Sequence, residues 1–165
     1  MTGRPAAQAI SSRLVTPAGP AVLTPERARG GWLWERTFPG ATDQVRQVRA
    51  AVRSLMDGCD AQETVVHLLS ELSANAVVHS RSGRASGEFI VRLQHAPCRC
   101  VWAEVEDAGS EEWGGDLAAS ARERSGLFIV MALASACGVA ARPGGCRAVW
   151  FRIPCQQAHA GDEDR

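Results

Sequence analysis

Apolar residues recur along the chain with two periods, and each period predicts a type of element. Residues 32–38 have the alternating pattern of a strand, which the Pro-Gly pair at 39–40 closes. Valines and leucines at helical spacing then predict a first helix, with Thr42 as its N-cap and Asp57 and Gly58 at its end. The folded region therefore begins with a strand followed by a helix.

The next segments predict a second helix and a hairpin. Asp60 and Glu63 form a capping box at the start of this helix, and its wide apolar stripe ends near His79. Two alternating runs, 89–93 and 101–105, then predict a pair of antiparallel strands.

The remaining segments predict a loop, a helix and a strand. Residues 110–125 are polar and charged, which favours a mobile connection. A third helix is predicted from Ser125 and Gly126 to Gly138, and a last strand over 149–153. Together these elements predict an α/β (α+β) two-layer sandwich, in which helices cover one face of a mainly antiparallel, mixed sheet.

The two ends of the chain lack such periods. Residues 1–30 hold four prolines among small and polar residues, so we expect a disordered or loosely attached tail. Residues 156–165 are polar, so we expect a second, solvated tail there. Residues 31–155 are expected to form one domain, which is long enough to build a core without disulfides or a structural metal.

The charge balance argues against some classes of function. Eighteen Lys and Arg residues offset eighteen Asp and Glu residues, which disfavours direct binding to nucleic acid or to an anionic membrane. The most apolar stretch, residues 126–141, is shorter than the roughly 20 residues of a membrane-spanning helix, and no secretory signal is evident. We therefore expect a cytoplasmic protein that binds no membrane.

The chain has six cysteines, and none of their spacings matches a C-x-x-C pair or a zinc-finger pattern. We expect reduced, mostly buried thiols. Cys98 and Cys100 would point to the same face of a strand, but the sequence offers no further ligands beside them. A metal or redox site at these two residues is therefore disfavoured.

A polar ridge interrupts the apolar pattern of the second helix. Glu71, Asn75 and His79 follow at intervals of four residues, so their side chains share one face. One interpretation is a solvent-facing edge of the helix. The other is a site in which a carboxylate and an amide oxygen bind a hard cation such as Mg²⁺. His79 would then serve as a cap near the helix C-terminus.

Two further segments each have a structural and a functional interpretation. Asp107 and Gly109 stand at a predicted strand end, where such a pair commonly forms a turn. A fixed carboxylate there also accepts a hydrogen bond from an exocyclic amine, while the glycine admits a ring. Arg122 and Arg124 precede the helix start at Gly126, where either solvated charges flank a capped helix or backbone N–H groups bind an anion.

Taken in order, three segments resemble the N box, G1 box and G2 box of the histidine-kinase-like, or GHKL, ATPase superfamily. They are residues 71–80 (ELSANAVVHS), 105–109 (VEDAG) and 125–130 (SGLFIV). More narrowly, residues 34–154 are similar to the small stand-alone anti-sigma-factor serine/threonine kinases. The resemblance implies the Bergerat ATP-binding fold, with ATP between the helical layer and a loop over its phosphates.

The resemblance also implies roles for the matching residues. Asn75 would coordinate Mg²⁺, Asp107 would accept a hydrogen bond from the adenine amino group, and Gly109 would lie under the base. Glu71 would act as the general base toward a protein hydroxyl. The implied ATP-binding set is Asn75, Asp107, Gly109, Arg124, Ser125, Gly126 and Leu127.

The implied function is that of an ATP-binding regulator that phosphorylates or sequesters a protein partner. The partner would be a sigma factor or its antagonist, and the protein would form a homodimer. Three positions depart from the family pattern: Glu111 and Arg124 replace usual glycines, and Ala148 replaces a common threonine. The alternative is therefore a catalytically inactive interaction module of the same fold that binds nucleotide weakly or not at all.

Overall fold

The computed structural model describes residues 32–96, 100–110 and 126–155. Besides two short 3₁₀ helices, the chain forms within these ranges five strands and three α-helices. In chain order they are β1 (Trp32–Pro39), α1 (Gln44–Leu55), α2 (Gln62–His79), β2 (Glu88–Ala96), β3 (Cys100–Asp107), α3 (Gly126–Leu133), β4 (Ala136–Ala141) and β5 (Arg147–Pro154).

The described strands form one sheet in the order β1-β2-β3-β5-β4, and all four pairings are antiparallel. The register places Asp107, at the end of β3, opposite Arg147 at the start of β5. At the other end of β3, Val101 lies opposite His95 of β2. Asp107 and His95 therefore mark opposite ends of the sheet.

The helices pack on one face of this sheet. Val91 and Leu93 of β2 are fully buried there with Leu68 and Leu69 of α2, because alternate residues of a strand point to the same face. Each such side chain contributes about 1.5–3 kcal/mol of hydrophobic stabilisation. The predicted sandwich with helices on one face is confirmed.

The opposite face of the sheet carries an ion network. Glu104 is fully buried between Arg92, at 2.6 Å, and Arg142, at 2.8 Å. Arg92 also binds Glu35 and Glu106. Burial lowers the pKa of Arg92, but its hydrogen bonds to the carboxylates outweigh this and raise it above the ordinary value. Since an unpaired buried charge is costly, the two arginines stabilise Glu104 inside the protein.

The predicted start of the first helix is wrong by one residue. Asp43, rather than Thr42, occupies the N-cap of α1, and its side chain makes no cap hydrogen bond. The predicted end is confirmed, since Gly58 follows the helix with a φ of 77°, a conformation that favours glycine.

The predicted capping box of the second helix is also wrong. Ala61 is the N-cap of α2, so Asp60 lies one residue too early to cap it. Glu63 forms a salt bridge of 3.0 Å with Arg53 of α1. The acid at this position therefore joins two helices, which a local sequence pattern does not reveal.

The third helix is shorter than predicted. It ends at Leu133, and residues 136–141 form β4 beside β5. A continuous apolar run does not distinguish a buried helix from a buried strand. Here the pairing with β5 makes residues 136–141 a strand. In the described part of the chain, no helix is both long and apolar enough to cross a membrane.

Several sequence predictions fall on other parts of the chain. The predicted tails at 1–30 and 156–165, and residues 111–125 of the predicted connection, lie outside the described residues. So does Cys98. Among the described cysteines, Cys137 and Cys155 are buried, whereas Cys59, Cys100 and Cys146 are partly exposed, so the thiols are less buried than expected.

Candidate functional site

Two polar residues of α2 meet the first residue of α3. Glu71 and Asn75 are both partly buried and lie one helical turn apart. A Cβ atom added to Gly126 would lie 2.6 Å from Oε2 of Glu71 and 3.4 Å from Nδ2 of Asn75. The absence of a side chain at Gly126 therefore lets the start of α3 approach these two residues closely.

The helix start at Gly126 gives this contact a chemical meaning. The first N–H groups of a helix have no partner inside the helix, and they favour negative charge. Gly126, the first described residue of α3, lies beside the carboxylate and the amide that the sequence singled out. Glu71, Asn75 and Gly126 thus form one cluster, which we call the α2–α3 cluster.

Asp107 lies at the end of β3 and is buried. Its Oδ1 accepts a hydrogen bond of 2.7 Å from the backbone N–H of Gly109. Its Oδ2 accepts two hydrogen bonds from Arg147, one from Nη2 at 2.6 Å and one from Nε at 3.2 Å. The carboxylate is therefore held in one orientation by its own turn and by the neighbouring strand.

These contacts leave Asp107 able to accept a further bond. A carboxylate has roughly four acceptor positions, and the described contacts use three of them. An amino group of a base is a suitable fourth donor. Arg147 was not singled out in the sequence, because only the β3–β5 register brings it opposite Asp107.

Gly109 has a structural reason to be glycine. Its φ is 68°, a conformation that side chains rarely adopt, and a Cβ atom there would collide with the carbonyl oxygen of Gly145. The glycine thus lets the end of β3 pack against the turn between β4 and β5. Its predicted position under a base stays a prediction.

Arg81 joins the end of α2 to the end of β3. Its Nε donates a hydrogen bond of 2.9 Å to the carbonyl oxygen of Ala108, and its backbone N–H donates one of 2.9 Å to that of Gly109. The hydroxyl of Ser82, which is buried, accepts a bond of 2.9 Å from the N–H of Ala108. These bonds fix the turn after Asp107 relative to the helix that carries Asn75.

A cleft of about 440 Å³ opens where α2 ends. It is lined by residues 77–81, Gly83, Arg84 and Ser110. Asn75 and Asp107 are not among the described residues that line it. The cleft therefore adjoins the site on the side of Ser110 and does not contain it.

The remaining predicted site residues have different surroundings. Arg124 and Ser125, like Arg122 and Glu111, lie outside the described residues. Leu127 is partly buried and packs against the hydrophobic core. His79 is the exposed last residue of α2, with no cap bond described for it, so its predicted capping role stays a prediction.

Ala148 is the described position at which the sequence departs from the family pattern. It is fully buried and lies opposite Glu106 in the register, on the sheet face that carries the ion network. Asp107 and Arg147 lie on the other face, since neighbouring strand residues point to opposite sides. The residue that contacts Asp107 across the sheet is therefore Arg147.

The donor set fits a nucleotide with its magnesium ion. Asn75 offers an amide oxygen of the kind that Mg²⁺ accepts beside phosphate and water ligands. Gly126 leaves room where a Cβ atom would clash with Glu71. Asp107 has acceptor capacity for a base, and Arg81 holds its turn to α2. The residues predicted for the two ends of a nucleotide thus belong to elements that contact one another.

Comparisons with known proteins show the family of this chain. The family described as "Histidine kinase-like ATPase domain" matches residues 38–153, which include every predicted site residue. No curated protein matches the sequence.

A solved structure shares the fold. It is the crystal structure of the RsbU and RsbW domains of Rv1364c from Mycobacterium tuberculosis, with a TM-score of 0.59 and 22% sequence identity. The match covers 75% of this chain and 32% of that one, so this chain spans about a third of its length. The family match extends over most of the chain, and the chain therefore belongs to the histidine kinase-like ATPase domain family.

Proposed function

We propose that this chain is an ATP-binding regulatory protein of the anti-sigma-factor kinase type, which uses ATP and Mg²⁺ to phosphorylate or sequester a protein partner. The observation that carries the proposal is the close approach of Gly126 to Glu71 and Asn75. It joins a helix N-terminus, a carboxylate and an amide in a chain of the histidine kinase-like ATPase domain family. That combination suits phosphate and its metal ion.

The α2–α3 cluster would position the reacting groups. The amide oxygen of Asn75 would ligate Mg²⁺, whose charge neutralises the phosphates. The N–H groups at the start of α3 would bind phosphate oxygens, and Arg124 and Ser125 would add donors. Phosphoryl transfer depends mainly on such positioning and charge neutralisation.

Glu71 would accept the proton of the attacking hydroxyl. It lies one turn before Asn75 on α2, so both side chains face the start of α3. A carboxylate beside the phosphate site suits removal of a proton from a serine or threonine hydroxyl during transfer. The product of this reaction would be a phosphorylated protein partner.

Asp107 would select the base. Its remaining acceptor position would take a hydrogen bond from the adenine amino group, while Gly109 would lie under the ring. Arg81 supports this role, since it holds the turn that follows Asp107. Guanine, which carries a carbonyl oxygen where adenine has its amine, would place an acceptor against the carboxylate and bind poorly.

The partners would be proteins. The resemblance to anti-sigma-factor kinases supports a sigma factor or its antagonist as the bound partner, and a homodimer as the working form. Fold similarity to a chain that includes an RsbW domain is in keeping with this type of regulator. We propose that the protein acts in the cytoplasm.

The Asp107–Arg147 ion pair favours a second candidate function. Both acceptor bonds on Oδ2 of Asp107 come from Arg147, so the carboxylate is mostly occupied by the protein itself. Departures at Glu111, Arg124 and Ala148 point the same way. In this alternative the chain is an inactive interaction module that binds nucleotide weakly or not at all.

Calorimetric titration with ATP, with and without Mg²⁺, tests the proposed function. We expect saturable binding that tightens with Mg²⁺, and weaker binding of GTP. Proteins that co-purify with and without ATP would identify the partner. If the parent gives no heat at millimolar ATP, ATP binding is overturned. If the parent gives no heat but Arg147→Met does, the second candidate is supported, because the ion pair then keeps the nucleotide from Asp107.

A further inference from the structure

A second group of chemically active side chains lies at the other end of the sheet. His95 stands opposite Val101 at the start of β3, whereas Asp107 stands at the end of that strand. Six residues of strand separate these positions by about 20 Å. Any function of this second group is therefore separate from the nucleotide site and does not depend on the proposed function.

Three elements bring the group together. Cys59 lies in the turn between α1 and α2, which backbone hydrogen bonds to Met56 and from Gln62 hold in place. His95 belongs to β2, and Cys155 directly follows β5. Cys59 and Cys155 are 96 residues apart in sequence, so no motif spacing reveals that they are close in the structure.

The ligand atoms are close to one another. The Sγ atoms of Cys59 and Cys155 and a carboxylate oxygen of Asp60 all lie within 4.8 Å of one another. Sγ of Cys155 is 3.8 Å from Nε2 of His95, and Sγ of Cys59 is 3.9 Å from Oδ1 of Asp60. Two ligands of a tetrahedral zinc ion lie about 3.5–3.8 Å apart when the zinc–sulfur bond is about 2.3 Å. The separations among Cys59, Asp60 and Cys155, and that between His95 and Cys155, are within about 1 Å of that spacing. His95 lies more than 4.8 Å from Cys59 or from Asp60, so its ring must move toward the ion to bind it.

The surroundings suit a bound ion. Cys155 and His95 are buried, and the ring of Trp32 stacks on that of His95 with 6.0 Å between centroids. Cys59 is partly exposed and Asp60 is exposed, so solvent reaches one side of the group. A metal ion therefore has an entry path on that side and a buried ligand pair on the other.

The donor types select the class of metal. Thiolate and imidazole ligands favour Zn²⁺, whereas Mg²⁺ and Ca²⁺ require oxygen ligands. Two cysteines are too few for an iron–sulfur cluster of the usual four-cysteine type. We propose that Cys59, Asp60 and Cys155, with His95 as the fourth ligand, form a zinc site that joins the α1–α2 turn to the ends of β2 and β5.

Zinc binding would release protons. The two thiols bind as thiolates and pass their protons to solvent, and His95 binds as the neutral imidazole through Nε2. Since the metal bridges three elements that are distant in sequence, it would stabilise the folded state over the unfolded one. The metal would thus be structural and would be bound without nucleotide.

Cobalt substitution of the full chain tests this site. Protein purified under reducing conditions is stripped with a chelator and titrated with Co²⁺ without nucleotide, and its zinc content before stripping is measured by mass spectrometry. We expect one equivalent of Zn²⁺ per chain, a thiolate-to-cobalt charge-transfer band at one equivalent of Co²⁺, and loss of that band when Zn²⁺ is added.

Variants separate this site from other thiols. Cys59→Ser changes a partly exposed residue and should weaken Co²⁺ binding by more than the roughly 10- to 100-fold typical of an outer-shell partner. Cys146→Ser, at a partly exposed thiol elsewhere, should bind Co²⁺ like the parent. His95→Gln should also lose affinity, and Asp60→Asn gives a second test at an exposed position should buried variants fail to fold.

Three outcomes would overturn the zinc site. The first is a reduced parent protein that shows no thiolate-to-cobalt band. The second is a band that persists unchanged in Cys59→Ser. The third is a Cys59–Cys155 disulfide, seen as a mass lower by two hydrogens, in protein that carries no metal.

Discussion

Arg147 donates two hydrogen bonds to Oδ2 of Asp107 across the β3–β5 pair, and both residues are buried. Breaking a buried ion pair from one side leaves the other charge unpaired, which costs about 3–5 kcal/mol. Replacing both partners costs much less. The pair therefore links the stability of the sheet to the carboxylate that would select the base.

We expect Arg147→Met to lower the free energy of unfolding by about 3–5 kcal/mol, since it leaves the buried carboxylate of Asp107 without its guanidinium. Asp107→Asn should cost less, since the amide oxygen still accepts hydrogen bonds. The double variant should be more stable than Arg147→Met, since it removes the buried negative charge. Urea denaturation of the four proteins measures the coupling. Single losses that simply add in the double variant would contradict the ion pair.

Asp107→Asn should also weaken ATP binding. The loss of a hydrogen bond to a charged group is worth about 1.5–3 kcal/mol, or a roughly 10- to 150-fold rise in the dissociation constant. Calorimetry at a temperature where the variant stays folded measures it. Equal affinity in variant and parent would remove the adenine assignment.

Glu71→Ala should abolish phosphate transfer to a protein partner and leave ATP affinity largely unchanged. A positioned general base contributes about 10²- to 10⁴-fold to the rate. Radiolabelled phosphate transfer and ATP titration measure the two properties. His67→Ala, one turn earlier on α2 and exposed, is the matched control and should transfer phosphate at the parent rate.

Gly126→Ala tests the contact at the start of α3 by the sign of its effect. Helix propensity alone favours alanine by up to about 1 kcal/mol. The added Cβ would meet Oε2 of Glu71 at 2.6 Å and its Cβ at 2.9 Å. We therefore expect lower stability and weaker ATP binding. A stabilised variant in thermal unfolding would show that the two helices do not approach this closely.

Arg81→Ala should weaken ATP binding without unfolding the protein. It removes the side-chain bonds to the carbonyl oxygen of Ala108, which hold the turn after Asp107. Bonds from a charged donor are worth about 1.5–3 kcal/mol. Arg84→Ala, an exposed arginine on the same cleft, is the control. If both variants lose a similar amount of ATP affinity, the effect comes from the lost positive charge near the cleft and not from the turn after Asp107.

Cys155 gives a prediction about pH in the metal-free protein. Burial raises the pKa of its thiol to about 12, and a hydrogen bond with Cys59 adds to the effect. A raised folded-state pKa means that the folded chain keeps a proton that the unfolded chain loses. Stability from this group is therefore complete below the unfolded pKa of about 8.5 and falls as pH rises above it.

Urea denaturation of the metal-free protein at pH 8 and pH 10 measures this effect. The parent should lose more stability over that interval than Cys155→Ala, and Cys146→Ser should behave like the parent. In the folded, metal-free protein at pH 8, iodoacetamide should modify the partly exposed Cys146 and leave the buried Cys155 unmodified, since reaction requires an accessible thiolate. Rapid modification of Cys155 would contradict its burial.

The sequence predicts most of the fold because its elements have clear periods. It places α2, the β2–β3 hairpin and β5 correctly, and it fails where tertiary pairing decides. Residues 136–141 are apolar throughout, and only the edge of β5 makes them a strand. Glu63 matches a capping box but pairs with Arg53, since a cap requires a backbone position that local sequence does not fix.

The candidate site divides in the same way. Helical spacing placed Glu71 and Asn75 on one face, and the structure brings Gly126 against both. Arg147 was missed because only the β3–β5 register brings it to Asp107. Arg81 was missed because it contacts Ala108, which is 27 residues away in sequence. The group of Cys59, His95 and Cys155 was missed for the same reason, since its members lie far apart in sequence.

The strand order has a consequence for how the protein forms during translation. β5 is made after β4 but inserts between β3 and β4. Asp107 thus leaves the ribosome 40 residues before Arg147, and until then β3 has an open edge and a carboxylate without its guanidinium. A nascent chain that stops at β4 would lack the strand that holds the Asp107 carboxylate in place. If Asp107 selects the base as we propose, nucleotide would find the finished site only after β5 has been inserted.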